Sequence, residues 1–177
     1  MQSARGLYIS LSMNAEAARL VAKLGMAPLP GEGGFFAPSW MSPRKGSGGR
    51  AIGSAILFLI TEGDFSALHR LGMDEIWHFS AGDPAELVLL DPRDGSCRVG
   101  ILGPDVEAGH APQAVVPAGQ WQGARILPGS RPGARGWTLF SCVVLPAWDE
   151  GEFELGRREA LVREYPGHAE IVRALTR

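Results

Sequence analysis

Two residues that can exchange protons near neutral pH, His69 and Glu75, lie six positions apart in this sequence. The imidazole of histidine changes its charge between about pH 5 and 8, and a nearby carboxylate can orient it for proton transfer. Alternate residues of a strand share one face, so a strand carries His69 and Leu71 to the same side, and a hairpin returns Glu75 to face them. The spacing therefore predicts a proton-transfer pair, with His69 and Glu75 as the catalytic candidates.

Three further polar side chains are candidates for contact with a ligand. Gln122 follows the turn at 117–119 and can orient a ligand through its amide or bridge two strands. Glu32 lies in the glycine-rich turn GEGG, where it can cap a pocket or bind backbone amides. Gln113 precedes a short apolar run and is a candidate polar group of the same pocket.

His78 and three aromatic residues complete the set of candidate ligand-binding residues. Strict alternation puts His78 on the opposite face from Glu75, which favours a structural role, although a β-bulge would reverse that parity. Phe58, Trp77 and Phe79 could line the pocket, because flat rings beside a few polar groups suit a sugar or another amphipathic ring. The same rings also suit plain core packing, which is the more common role of buried aromatic residues.

The elements that position these residues are short strands. Apolar runs alternate with turn signals rich in Gly, Pro and Asp through the middle of the chain. We expect strands at 55–60, 65–69, 76–79, 86–90, 97–102, 114–116, 120–125 and 137–145. Such spacing is typical of all-β sandwiches and barrels, and no alternation of strands with helices indicates a parallel sheet.

Helical patterns flank the strands. Asn14 can cap a short amphipathic helix, and two helical pieces follow the last strand, separated at Tyr165-Pro166. We expect residues 1–177 to form one domain, built from an extension, a helix, a barrel and C-terminal helices at 1–12, 13–25, 35–146 and 156–176. Residues 127–136 are interpreted as a loose hairpin loop. Either Met1 or Met13 can be the natural start.

Composition limits the class of protein. Lys and Arg total 17 and Asp and Glu total 19, so the formal net charge is −2, and nucleic acid is an unfavourable partner. No apolar run has the roughly 18–20 residues of a membrane span, and the first residues lack the apolar core of a signal peptide. We therefore expect a cytoplasmic protein, with Cys97 and Cys142 as reduced core thiols.

The frame around the His–Glu pair resembles the two sequence motifs of the cupin superfamily. The first motif is matched in order by Gly63, His69, Glu75 and Gly82. The second motif, Pro-x-Gly-x-x-His, is matched at 117–122 with Gln122 in place of the histidine. The resemblance implies a jelly-roll barrel, also called a double-stranded β-helix, with one pocket inside it.

The set of metal ligands that cupins carry in these motifs is incomplete in this chain. Leu71 stands at the position of the second histidine, and Gln122 stands at that of the third. His69 and Glu75 remain, and two good ligands are too few to hold an ion tightly. We expect no cofactor. If a divalent metal does bind, His69 and Glu75 are its expected ligands.

A narrower resemblance covers the chain from about Met13 to its end. The segments DEIWHF at 74–79 and PAGQWQ at 117–122 are similar to one family of small cupins of unassigned function. Members are described as similar in fold to the dTDP-sugar 3,5-epimerases (RmlC-like) and as homodimers. This chain departs from the family pattern at three positions, namely Ala37, Leu68 and Ser80.

The function implied is therefore the binding of a small metabolite inside the barrel. The first hypothesis is a metal-independent epimerase or isomerase acting on a sugar or nucleotide-sugar, with catalysis itself left open. The alternatives are a non-catalytic small-molecule binding module and a metal-dependent dioxygenase or isomerase, against which Leu71 and Gln122 argue. A homodimer is the expected assembly, with the GEGGFF strand at 31–36 as the candidate interface.

Overall fold

A computed structural model describes residues 14–127 and 133–177 of the chain. The expected extension at 1–12 and part of the expected loop at 127–136 lie outside the described residues. The first described element is the helix α1 (Ala15–Lys23), whose N-terminus is capped by the Asn14 side chain accepting from the Ala17 N–H at 2.9 Å. The predicted cap and helix are therefore both present.

Two antiparallel sheets form the body of the protein. The described strands are β1 (Ala27–Pro28), β2 (Phe35–Met41), β3 (Ser54–Thr61), β4 (Ser66–Leu71), β5 (Asp74–Gly82), β6 (Ala85–Leu90), β7 (Cys97–Leu102), β8 (Gln113–Val116), β9 (Trp121–Ile126), β10 (Trp137–Leu145) and β11 (Phe153–Leu155). The six-stranded sheet has the order β1-β2-β3-β10-β5-β8, and the five-stranded sheet has the order β11-β4-β9-β6-β7. The predicted all-β jelly-roll fold is confirmed.

The main hydrophobic core lies between the two sheets. The six-stranded sheet contributes Phe58, Trp77 and Phe140, and the five-stranded sheet contributes Leu87 and Ala124. These residues alternate along their strands with residues of the opposite face, so one face of each sheet is sealed from water. The space between the sheets is therefore the place where an enclosed site can form.

The outer face of each sheet is covered by helices. The helices α2 (Arg158–Glu164) and α3 (Ala169–Ala174) lie against the five-stranded sheet, where Leu161 and Val172 pack on Val88 and Leu90. On the other side, α1 packs on the six-stranded sheet. No helix within the described ranges is long and apolar enough to cross a membrane.

The two cysteines are separated by the five-stranded sheet. Cys142 is buried between the sheets, whereas Cys97 packs toward the C-terminal helices, and both are free thiols. Their positions on different faces exclude a disulfide between them.

Candidate functional site

His69 lies on the inner face of β4 with 3% of its surface exposed. Its Nδ1 is 2.9 Å from the carbonyl oxygen of Ala67, and because a carbonyl only accepts, this contact favours the tautomer with the proton on Nδ1. The lone pair then lies on Nε2. The ring of Phe153 stacks on the imidazole at 5.5 Å between centroids and 25° between planes, which fixes the ring orientation.

A chain of hydrogen bonds crosses from one sheet to the other at Gln122. This residue pairs directly with His69 in the register of β4 and β9. Its amide nitrogen donates to Oε2 of Glu75 at 2.6 Å, and its amide oxygen accepts from the Trp77 indole N–H at 2.9 Å. Since both ends of the amide are engaged, its orientation is set, and Gln122 connects the acid of β5 to the strand beside His69.

Glu75 is a buried carboxyl group whose protonation is balanced near neutrality. Its pKa is raised from the ordinary value of 4.5 to about 7, chiefly by burial and also by the charge of Glu32. The interaction with His69 and the hydrogen bonds from Gln122 and Trp77 act in the opposite direction. Near neutral pH this side chain is therefore present both as the acid and as the carboxylate, so it can deliver or accept a proton.

Glu32 brings a second carboxylate to the imidazole. The glycine-rich turn sends this side chain inward, where Oε1 accepts from the Ser66 hydroxyl at 2.8 Å and lies 3.8 Å from Nδ1 of His69. Glu32 keeps 7% of its surface exposed. A carboxylate at that place stabilises the imidazolium that forms when Nε2 takes a proton.

Cys142 lies on β10 directly opposite Trp77 in the register of the sheet. Burial raises the pKa of this thiol well above its ordinary value, and the charges of Glu75 and Glu32 add to the effect. The thiol stays protonated at neutral pH, so it is a wall of the site and not a nucleophile.

The aromatic candidates form the back of the interior. Trp77 meets Phe58 edge-on at 5.8 Å and Phe140 at 5.1 Å between ring centroids. Phe79 packs on the same cluster and is half-buried. Other apolar side chains that pack against this cluster are also half-buried, namely Ile56, Leu89, Ala114 and Ile126. These side chains are therefore partly accessible to solvent at the edge of the core.

Two residues predicted to contact a ligand face away from the interior. Gln113 is exposed and pairs with His78, which also lies opposite Ser141, on the face of the sheet that turns outward. The sheet does contain a β-bulge, but it lies between Leu139 and Phe140 and so does not reverse the parity at His78. The placement of Gln113 in the pocket is corrected, because its strand register turns it outward, whereas His78 lies on the outward face that strict alternation gave it.

A separate cleft of about 440 Å³ lies outside the barrel. Its lining includes Gly31, Gly33, Asp64 and Arg177 and contains none of the predicted site residues. The cleft is therefore a site distinct from the buried His69–Glu75 pair.

The donor set of the interior does not fit a metal centre of the cupin type. Leu71 packs with Met73, Val144 and Phe153 and offers no donor atom. The Gln122 amide is already engaged at both ends. Over 14–127 and 133–177, no group of three or more His, Cys, Asp or Glu is arranged to hold an ion.

The sequence alone misses the contacts of Glu32 and Phe153 with His69. It also misses that Cys142 borders the site. Phe153 reaches His69 because β11 pairs with β4, an association between segments far apart in the chain. The inward alternation of Phe140, Cys142 and Val144 along β10 was a signal that could have found the thiol.

Comparison with protein-family models identifies the family of the chain. The family model described as Cupin superfamily (DUF985) matches residues 18–156. No protein of curated function matches the sequence.

Two solved structures are similar over nearly the full chain. A protein from Shewanella oneidensis is 33% identical, with a TM-score of 0.82 over 93% of this chain and 98% of that one. A hypothetical protein from Leishmania major is 32% identical, with a TM-score of 0.82 over 93% and 99%. An oxalate decarboxylase from Bacillus subtilis is similar in fold alone, at 12% identity and a TM-score of 0.52 over 85% of this chain and 37% of that one.

Proposed function

The chain belongs to the DUF985 family of the cupin superfamily, and we propose that it binds a small metabolite between its sheets and acts on it as an epimerase- or isomerase-like enzyme. The substrate class is a sugar, a nucleotide-sugar or a related carbonyl compound. The observation that carries this proposal is the arrangement of the His69 imidazole and the near-neutral Glu75 carboxyl on facing sheets. Gln122, the strand partner of His69, donates its amide to that carboxyl. No metal takes part in the proposed reaction.

His69 is the proposed base. With the Nδ1 proton donated to the Ala67 carbonyl, Nε2 is free to remove a proton from the carbon next to a carbonyl group. Glu32 then stabilises the resulting imidazolium from the Nδ1 side at 3.8 Å. The carbon–hydrogen bond of the substrate breaks, its electron pair forms an enolate, and the proton is held on His69.

Glu75 is the proposed acid on the facing sheet. In its protonated form it delivers a proton to the opposite face of the enolate carbon, which inverts the configuration there. Glu75 becomes a carboxylate in this step, and proton exchange with water restores both groups for the next cycle. A pKa of about 7 keeps the acid and the base forms comparably populated at neutral pH.

Access of a ligand is supported by the partial exposure of side chains that pack on the inner core. Apolar residues on the inner side, such as Ile56, Phe79 and Leu89, remain half-buried. An apolar wall with a few convergent polar groups is the usual composition of small-molecule sites. A sugar ring or another amphipathic ring has the matching combination of a hydrophobic face and polar edges.

The test is exchange of substrate protons with solvent. Sugars, nucleotide-sugars and small carbonyl compounds are incubated with the protein in deuterated water, and loss of the C–H signal next to the carbonyl is followed by proton NMR. The expected result is exchange with at least one compound, reduced by about 10²- to 10⁴-fold in His69→Gln. Binding of that compound, measured by calorimetry, should change little.

His78→Gln is the matched control, because this histidine is on the outward face of β5, in the sheet opposite His69. Its exchange rate should equal that of the wild type. Unchanged exchange in His69→Gln contradicts the proposal. Tight binding without exchange of any compound would instead support a non-catalytic binding module, for which the half-buried interior would serve equally well.

A homodimer is part of the proposal. Within the chain, β1 pairs with β2 at Phe35 and Phe36, so this part of the GEGGFF strand is already occupied. The following residues Trp40 and Met41 keep 47% and 58% of their surfaces exposed at the end of β2. These residues are the better candidate interface, and sedimentation at micromolar concentration should show two chains per particle. A monomer would contradict it.

A further inference from the structure

The turn that carries Glu32 is held from the outside by the carboxylate of Asp64, which accepts from the Gly34 N–H at 2.8 Å, and by the side chain of Arg177. Its Nε donates to the Gly31 carbonyl at 3.1 Å, and its Nη2 donates to the Glu32 carbonyl at 3.2 Å. The same guanidinium pairs with Asp64 at 2.5 Å and lies 4.5 Å from the centre of the Phe65 ring. Arg177 therefore joins the glycine-rich turn to the turn between β3 and β4.

The inner side of the same turn contacts the catalytic strand. The Glu32 carbonyl also accepts from the Ala67 N–H at 2.8 Å, and the Glu32 carboxylate accepts from Ser66 at 2.8 Å. Both donors lie on β4, within three residues of His69. The backbone of Glu32 is thus bound between Arg177 outside and β4 inside, and its carboxylate points toward the imidazole.

The fit at Gly33 is tight enough to require glycine. Its φ is +101°, a conformation that other residues rarely adopt. A Cβ at this position would lie 2.0 Å from Nη2 of Arg177 and 2.4 Å from the Phe65 carbonyl oxygen. The turn and the guanidinium therefore occupy one defined arrangement. The cleft of about 440 Å³ is lined by residues of the turn and by Arg177.

We propose that Arg177 is a positioning residue, which holds the turn at 31–34 so that the Glu32 carboxylate stays against His69. This role rests on the proposed function, because the position of Glu32 matters to catalysis only if His69 is the base. Without Arg177, the Glu32 carbonyl keeps only the Ala67 contact, and Asp64, which accepts from the Gly34 N–H, loses its ion pair. The Glu32 carboxylate then depends on the Ser66 hydroxyl for its place, and we expect it to shift away from His69.

The sign of one electrostatic change separates positioning from a direct effect of charge. The Glu32 carboxylate raises the pKa of Glu75. If the loss of Arg177 lets Glu32 move away, the pKa of Glu75 falls. If Arg177 acted only through its own positive charge, its removal would raise the pKa of Glu75, because a nearby positive charge favours a carboxylate.

The experiment is a double-mutant cycle read by carbon-13 NMR of the Glu75 carboxyl group in ligand-free protein. Arg177→Gln should lower the pKa of Glu75 by on the order of 0.5–1 unit. In a Glu32→Gln background the same Arg177→Gln substitution should give no fall. Gly33→Ala, which displaces the turn while keeping every charge, should lower the pKa of Glu75 in the same direction.

Arg135→Gln is the matched control. Arg135 also pairs with a carboxylate, Glu16, and lies 4.3 Å from the centre of the Trp137 ring, but it contacts neither the turn nor β4. Its loss should leave Glu75 unchanged. A rise or no change in Arg177→Gln overturns the proposal, and so does an equal fall in both backgrounds. Because no substrate is used, the proposal on Arg177 can fail while the proton-exchange assay still supports the function.

Discussion

Two carboxyl groups of this protein, Glu75 between the sheets and Asp91 at the end of β6, both expose little surface but lie at different depths and have opposite electrostatics. Their residues keep 6% and 7% of their surfaces exposed, and each accepts a hydrogen bond from a glutamine amide, Gln122 and Gln120 respectively. Burial raises the pKa of Glu75 to about 7. In contrast, the Arg93 guanidinium holds the pKa of Asp91 well below its usual range.

The difference teaches what an amide partner can and cannot do. An amide satisfies a carboxylate oxygen but brings no charge, so the cost of burying the charged form persists. A guanidinium partner adds the charge, and 78% of the Arg93 side chain is exposed, so water also solvates the pair. Asp91, in the turn after β6, is therefore ionised at neutral pH, whereas Glu75 in the interior changes its protonation near neutral pH.

The largest expected effect comes from replacing Trp77, which supports Glu75 through the Gln122 amide. Trp77 is 1% exposed, packs on two aromatic rings, and donates to the amide that contacts Glu75. Trp77→Ala should lower the free energy of unfolding by about 3–5 kcal/mol, measured by urea denaturation. Trp148→Ala is the control, since this residue is 51% exposed and its loss should stay within about 0.5 kcal/mol. Similar losses of unfolding free energy in Trp77→Ala and Trp148→Ala would contradict the placement of Trp77 in the core between the two sheets.

Glu75→Gln tests whether the raised pKa of Glu75 makes the folded protein less stable as the pH rises. Because the pKa of Glu75 is raised from 4.5 to about 7, the unfolded chain loses this proton before the folded one does. The stability of the wild type should therefore fall by roughly 3 kcal/mol from this group as the pH rises through that window. Urea denaturation at pH values on either side of the window should show this fall in the wild type and not in Glu75→Gln. A parallel pH dependence of the two proteins would show that Glu75 is not the source.

The smallest effect is expected at Asp91, in the turn that follows β6. Arg93 is the main cause of the low pKa of Asp91, so Arg93→Ala should move that pKa up toward the ordinary value of 3.8. The contribution of Asp91 to stability is present above that ordinary value and is lost as the pH falls through the folded-state pKa. Carbon-13 NMR of the Asp91 carboxyl measures the change, and the pKa of Glu75 should not move. A shift at both acids would show that the two regions are coupled.

Much of the fold could be predicted because it depends on local patterns. The alternation of apolar and polar residues set the strand segments, and Asn14 marked the start of α1. The same alternation places His69 and Glu75 inward, and Gln122 follows from the turn before β9. The turn acid Asp91 is also local, because its arginine partner is two residues away.

The rest depended on contacts between distant segments. Arg177 reaches Gly31 across 146 positions, and Gln122 reaches Glu75 across 47, which no local pattern encodes. The outward placement of Gln113 depends on its register against His78, and that register is set only when β5 and β8 pair. Sequence therefore indicated the type of chemistry, and long-range pairing determined which groups meet.

The most direct test of the account is a carbon-13 NMR pH titration of the wild-type carboxyl groups, with Glu75 assigned by its loss in Glu75→Gln. The account predicts that Glu75 titrates near 7, while Asp91 in the same spectra titrates below its ordinary value. A Glu75 that titrates near 4.5 with the exposed glutamates would contradict the central claim that the barrel interior holds an acid ready for proton transfer at neutral pH.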